Sequence, residues 1–376
     1  MPLHRIVLYL AVMTLIGGGV ITIYNATDIT AGELSKYKDS HYFVKQQLLY
    51  LVIGILAFLT VAKINYNNIV RFGWGFLGIS IILLALVYTP LGVEINGARR
   101  WLDIRVTRIQ PAEIASFSTI IFLVYKLTAK QRKLNKFLSA YVPMICGISV
   151  ILGLIVFQPN LSVTILIGLT SLLLLFIGGA KPIHILYTVI AALPVVAILF
   201  LKSDYLLERL EVWKDPFKFA GEKGLQPVES MTALGVGGSF GVGLGNSRQK
   251  LFFLPYCHND FIGAIIGEEF GFAGMFIVVL IYILIVVCGI FIAFKIKDLS
   301  GYLLATGITI QIALQTLIHL GVVTAAIPPT GINLPFVSYG GSNLVMNCIG
   351  LGLLTSVSRR IELQPKEKYA IQSARA

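Results

Sequence analysis

The sequence predicts an all-α, polytopic membrane protein with ten transmembrane helices and one long extracellular loop. Three observations carry that expectation. The chain of 376 residues is 56% hydrophobic and only 13% charged, about half the charged share of a soluble globular domain. Apolar runs long enough to cross a bilayer as helices recur from end to end. The basic residues behind the formal net charge of +12 fall in alternate connections, as the positive-inside rule requires. Nucleic acid, the usual reading of such an excess, needs those residues on a solvated face and is not expected as a partner.

The spans fall at 6–24, 46–62, 72–89, 112–127, 139–157, 161–178, 182–201, 261–294, 300–324 and 339–356. The first follows a short basic start, as a signal peptide would. No small-residue cleavage site follows it, so it is read as a retained helix. The eighth is long enough to start outside the hydrocarbon or to tilt. An even number of spans puts both termini on one side. That side holds 16 of the 30 basic residues, among them Arg5, Lys63, Arg71, Lys126, Arg132, Lys133, Lys136, Lys181, Lys295, Lys297, Arg359, Arg360 and Arg375, and is therefore cytoplasmic. The whole chain, 1–376, reads as one membrane domain, with residues 202–260 as a long extracellular loop around a glycine-rich centre, Gly235 to Gly245. Loops of that length are functional or disordered. Cys146, Cys288 and Cys348 lie in apolar runs and Cys257 stands alone, which argues against a disulfide framework.

The outer loop between spans three and four carries Arg99, Arg100, Arg105 and Arg108 beside Trp101, against the charge rule that the rest of the chain obeys. Guanidinium groups bind phosphate in bidentate fashion, so the cluster either meets a lipid-linked phosphate or anchors to headgroups and acids of the long loop. Asp260 closes a polar segment with His258 and Asn259 that leads into span eight. It reads as a helix cap, a general base or a metal ligand. Glu113 follows Gln110 and Pro111 at the start of span four, ordinary for a first helical turn. Glu268 and Glu269 lie about two turns inside span eight, where ionisable groups are costly; they face a cavity, or the span projects above the lipid. His184 and His319 read as satisfied core histidines, and no His or Cys spacing supports a structural zinc site.

Taken together, Gly243-Leu244-Gly245-Asn246-Ser247-Arg248-Gln249-Lys250, Leu254-Pro255 with His258 and Asp260, and Gly267-Glu268-Glu269-Phe270-Gly271 resemble the long loop of the SEDS family (shape, elongation, division and sporulation). Thr330-Gly331-Ile332 and Leu334 through Ser342 resemble its C-terminal signature, and Arg100-Trp101 with Gln110, Pro111 and Glu113 its N-terminal half. The resemblance spans almost the whole chain and leans to the FtsW/SpoVE branch. It implies an inverting glycosyltransferase of the bacterial cytoplasmic membrane. Such a protein polymerises lipid II, an undecaprenyl-diphosphate-linked donor, into β-1,4 glycan for cell division or cell shape. It works with a class B penicillin-binding protein and other divisome or elongasome proteins. Asp260 matches the family's catalytic aspartate, acting as base or through a divalent cation (Mg or Mn). Arg99, Arg100, Trp101, Glu113, Arg248, Gln249, Lys250, His258 and Ser338 are the expected substrate-binding residues.

Two other function classes remain open at this level. One is a lipid II flippase, which would need essential polar residues near the midplane; the other is a non-catalytic division scaffold. The chain also departs from the family pattern. Ser116 replaces a usual lysine and Asn160 a usual aspartate, a change expected to compensate if the two form one buried pair. Tyr256, Asn259 and His319 replace a usual glutamate, threonine and asparagine.

Overall fold

The computed structural model describes residues 1–33, 41–95, 97–104, 107–130, 137–202, 204–221, 224–251, 253–255 and 257–373. Arg105, Arg132, Lys133, Lys136, Tyr256 and Arg375, each singled out above, lie outside the described residues.

A helix occupies each expected span. In chain order they are α1 (Leu3–Glu33), α2 (Tyr42–Lys63), the short α3 (Tyr66–Arg71), α4 (Gly73–Leu86), α5 (Pro111–Lys130), α6 (Val142–Val156, entered through a π-turn at Phe137–Tyr141), α7 (Leu161–Ile177) and α8 (Pro182–Lys202). After them come α9 (Asp204–Lys214), α10 (Leu225–Gly237), α11 (Ile262–Lys295), α12 (Leu299–Val323) and α13 (Gly341–Ser373). Among the described residues, six helical stretches are long and apolar enough to cross a membrane: Leu3–Thr27, Tyr42–Lys63, Pro111–Ala129, Phe137–Val156, Ile262–Lys295 and Leu299–Val323. Gly73–Leu86, Leu161–Ile177 and Pro182–Ile198 are shorter apolar helices.

The starts obey local chemistry. Pro111 opens α5, where a missing N–H costs nothing. The side chains of Asn160 and Asp298 cap α7 and α12, accepting the N–H of Val163 at 3.5 Å and of Gly301 at 2.9 Å. Close helix packing falls where side chains are absent. A Cβ on Gly54 of α2 would sit 3.0 Å from the Cys348 sulfur of α13, so these two helices approach nearly backbone to backbone.

The helical architecture is as expected, and two features refine it. Within residues 202–260, α9, a 3-10 turn at Pro216–Phe219 and α10 fill much of the segment. One small sheet is added to the helices. β1 (Gly92–Ile95), β2 (Ala98–Asp103) and β3 (Arg108–Ile109) form a small antiparallel sheet between α4 and α5. In its register Val93 pairs with Trp101 and Glu94 with Arg99, so Arg100 is the extra residue of a bulge.

The long α11 is broken. Gly271 adopts φ 65° and ψ −163° inside it, and the glycine-rich segment after α10 fills the break. The N–H groups of Val242 and Gly243 donate to the carbonyls of Glu268 and Glu269 at 3.0 Å each. Those of Phe272 and Ala273 donate to Gly238 and Ser239 at 2.8 and 3.0 Å. Backbone groups buried away from water need such internal partners. Gly237, Gly241 and Gly271 permit the approach: a Cβ on them would come within 2.0, 2.2 and 2.4 Å of the facing backbone.

Candidate active site

One cavity of about 700 Å³ gathers polar residues from α2, β2, β3, α7, α9, α10 and the segments before α11 and α13. Asp260 lies in its wall, one residue before Phe261 and the start of α11. Burial raises its carboxyl from 3.8 to about 6, against the pull of Arg209 and Arg100. Gly331, at φ 72°, abuts the carboxylate; a Cβ there would lie 3.4 Å from Oδ2.

Both guanidinium groups are tethered by backbone. Arg100 Nε donates to the Gln158 carbonyl at 3.2 Å, and its terminal nitrogen donates to the Pro159 carbonyl. Arg209, on α9, donates to the Pro329 carbonyl at 2.8 Å, while Trp213 one turn later donates to the Ala325 carbonyl at 2.9 Å. The β2 bulge matters here. A strand sends neighbouring side chains to opposite faces, yet Arg100 and Trp101 both line the cavity, because an extra residue re-aims the strand.

Of the residues expected from the sequence, Asp260, Arg100 and Trp101 meet in this cavity. Arg108 also lines it, 3.9 Å from Asp103. Arg99 does not; it pairs with Glu94 at 3.3 Å on the exposed side of the hairpin. Glu113 is buried in the first turn of α5, beside but not among the lining residues. Arg248 is exposed, away from the cavity.

Gln249 and Lys250 are buried against α11 and lie outside the cavity lining. The Lys250 ammonium sits 3.6 Å from Glu269 and donates to the Gly245 carbonyl at 2.5 Å. Glu268 accepts from the Ser247 hydroxyl, from Arg248 N–H at 2.9 Å and from Gln249 N–H at 3.3 Å. The two glutamates are buried in protein and outside the cavity lining, and their carboxylates hold residues 245–250, the continuation of the segment that fills the α11 break.

His258 and Ser338 hold the segment that carries Asp260 from behind. The His258 ring packs 4.5 Å from Phe43 and 5.6 Å from Tyr339, and burial lowers its imidazole to about 4, so it is neutral at physiological pH. Ser338 Oγ accepts the Leu334 N–H and donates to the Asn259 carbonyl, both at 2.8 Å. It thereby ties the segment before α13 to the residue preceding Asp260.

The expected pairing of position 116 with position 160 is not what the fold builds. Ser116 accepts from Gln311 at 2.5 Å, and Gln311 accepts from Thr170 at 2.9 Å. Asn160 caps α7 ten residues earlier, about 15 Å along the helix from Thr170.

Sequence reasoning missed Arg209, Tyr42, Tyr50 and Tyr339, all of which line the cavity. The amphipathic run from Asp204 to Lys214 was the available signal for α9, and hence for Arg209.

The donor set does not fit a protein-held divalent cation. Among the described residues no three His, Cys, Asp or Glu side chains converge. Asp260, in the cavity wall, feels two guanidinium charges, which oppose a cation, and Asp103, the other lining carboxylate, pairs with Arg108, whereas hard cations collect six or more oxygens.

Comparison with known proteins accords with this architecture. The family model described as cell cycle protein, FtsW/RodA/SpoVE, matches residues 5–363. The probable peptidoglycan glycosyltransferase FtsW of Trichlorobacter lovleyi is 33% identical over 363 residues, covering 96% of this chain and 95% of that protein. Stage V sporulation protein E of Bacillus subtilis is 36% identical over 356 residues, covering 94% and 96%. Among solved structures, a chain of a peptidoglycan synthase complex described as coordinating polymerization and crosslinking superposes with a TM-score of 0.78 at 24% identity, covering 94% of this chain and 97% of that one. RodA of Thermus thermophilus superposes with a TM-score of 0.68, also at 24% identity, covering 94% and 95%. With a family model covering nearly its whole length and relatives above 30% identity, this chain belongs to the FtsW/RodA/SpoVE family of membrane proteins.

Proposed function

We infer that the protein is an inverting peptidoglycan glycosyltransferase that polymerises lipid II on the outer face of the cytoplasmic membrane. The observation that carries this reading is Asp260: a carboxylate held at about 6 by burial, in a cavity with two tethered guanidinium groups. A general base works best with its pKa near the operating pH. In water a carboxylate would be too weak; at about 6 it remains mostly ionised at pH 7 and accepts a proton more readily.

The donor sugar is α-linked to diphosphate and the product is β-linked, so one in-line displacement suffices. Asp260 takes the proton from the acceptor hydroxyl as its oxygen attacks the anomeric carbon. The bond to the diphosphate breaks, and Arg100 and Arg209 stabilise the charge that develops on the departing oxygens. Because backbone carbonyls already hold both guanidinium groups, little reorganisation accompanies the reaction. A divalent cation, on this reading, enters with the substrate's diphosphate. Ten membrane crossings with both termini cytoplasmic put Asp260 outside, where a class B penicillin-binding protein would cross-link the strand.

Transport is the weaker reading. The polar groups inside the bundle at Ser116, Gln311 and Thr170 bond to one another and offer no obvious headgroup site. The test is to incubate the purified protein, alone and with its partner, with labelled lipid II. Glycan polymer is expected from the wild type and none from Asp260→Ala. Equal polymer from both would end the assignment.

A further inference from the structure

We propose that the aromatic wall of the cavity, formed by Tyr42, Tyr50 and Tyr339, is a saccharide subsite that holds the pyranose rings of the nascent β-linked glycan. The proposal rests on the polymerase reading and specifies how that site retains its product.

The cavity lining has two chemistries. Asp260, Arg100 and Arg209 interact electrostatically and account for proton transfer and diphosphate binding. The tyrosines take no part in either step. Tyr42, Gln46 and Tyr50 all line the cavity. Their four-residue spacing places them along one side of α2, and the stretch from Tyr42 to Tyr50 covers about 12 Å of helix.

The rings pack on their neighbours, Tyr42 edge to face on Phe43 at 5.5 Å. Phe43 meets Tyr339 edge to face at 5.2 Å and His258 at 4.5 Å. Tyr50 occupies the space above Gly341, where a Cβ would fall 2.2 Å from its ring, and its hydroxyl bonds to Thr107. A wall set before the ligand arrives avoids the cost of ordering side chains on binding.

Ligand chemistry follows from the lining. A β-linked pyranose has a flat face of C–H groups and an edge of hydroxyl and acetamido groups. The face stacks on aromatic rings, and the edge bonds to amides such as Gln46, Asn333 and Asn343, which share the cavity. An acyl chain would not use the amides, and a phosphate would not use the rings. The volume of about 700 Å³ lies within the usual range of ligand pockets, about 300–1,000 Å³.

The test uses the full-length protein in lipid nanodiscs, with a soluble β-1,4-linked N-acetylglucosamine tetramer as probe. Binding is read by saturation-transfer NMR and product length on gels. Tyr42→Leu is expected to weaken tetramer binding about fivefold, the scale of one lost aromatic contact, and to shorten the mean glycan chain. Tyr42→Trp is expected to restore both. In the wild type, the tetramer should protect Tyr42 from iodination, a readout that needs no variant to fold. Absence of tetramer binding, absence of protection, or equal binding and chain length in Tyr42→Leu would each overturn the subsite. A wild type that binds the tetramer through Tyr42 but makes no polymer from lipid II would leave the subsite standing and remove the polymerase reading.

Discussion

Replacing Asp260 with asparagine should abolish polymerisation and make the protein more stable. The carboxyl is raised from 3.8 to about 6 by burial. A carboxyl raised that far carries about 3 kcal/mol against its charged form, and the opening of the cavity to water reduces this to about 1–2 kcal/mol. The sign follows from proton linkage. Because the folded state holds the proton more tightly than the unfolded one, this group's stabilisation is fully present below the unfolded value of about 4. It declines as pH rises through about 6 and stays low above that. At pH 7.5 the asparagine removes a buried charge, and the melting temperature should rise by about 1–3 °C. At pH 4, where the aspartate is mostly protonated in the folded protein, the gain should shrink towards zero. Thermal unfolding in detergent micelles at the two pH values measures both effects. A variant that melts at or below the wild type at pH 7.5, or a gain that persists undiminished at pH 4, would refute the electrostatic argument while leaving the activity test intact.

Other consequences can be checked independently. Arg209→Gln removes a positive charge that lowers the Asp260 value, so the acid limb of the kcat/KM profile should move to higher pH, with the plateau rate down about tenfold or more. Gly271→Ala places a Cβ 2.4 Å from the Gly241 nitrogen at a positive φ; membrane yield and protease resistance should both fall, whereas a neutral result would contradict the packing of the α11 break. Free protein titrated with Mn²⁺ should leave the metal's EPR signal undiminished until a lipid diphosphate is added, since Asp260 alone offers too few oxygens. Tight binding to the free protein would show a protein-held site.

The helices were legible because a membrane span announces itself by length and apolarity, independently of its neighbours. Asp260, Arg100 and Trp101 were legible because charges and aromatics at the outer end of a span are conspicuous against an apolar background. The rest depended on tertiary context. Arg100 and Trp101 share a cavity only through a one-residue bulge, which no local pattern of β2 announces. Lys250 was expected from the resemblance to bind substrate, but its ammonium is committed to Glu269 and Gly245. That outcome depends on how the head of α11 packs against the segment, with Glu269 nineteen residues downstream. Arg209 was hidden for another reason: treating 202–260 as one loop removed the helix that carries it.

The break in α11 also constrains how the protein is made. Until the segment 238–243 arrives, the carbonyls of Glu268 and Glu269 and the N–H groups of Phe272 and Ala273 lack the partners they have in the finished protein. An unbroken helix would pair the same groups with one another, since Phe272 lies four residues after Glu268 and Ala273 four after Glu269. The apolar stretch can therefore enter the bilayer as a simple helix with none of them bare. The break then opens by exchange, as the glycine segment made about thirty residues earlier takes over both carbonyls and both N–H groups. On this view the glycines set an order of assembly, in which α11 forms whole and its outer end is broken afterwards.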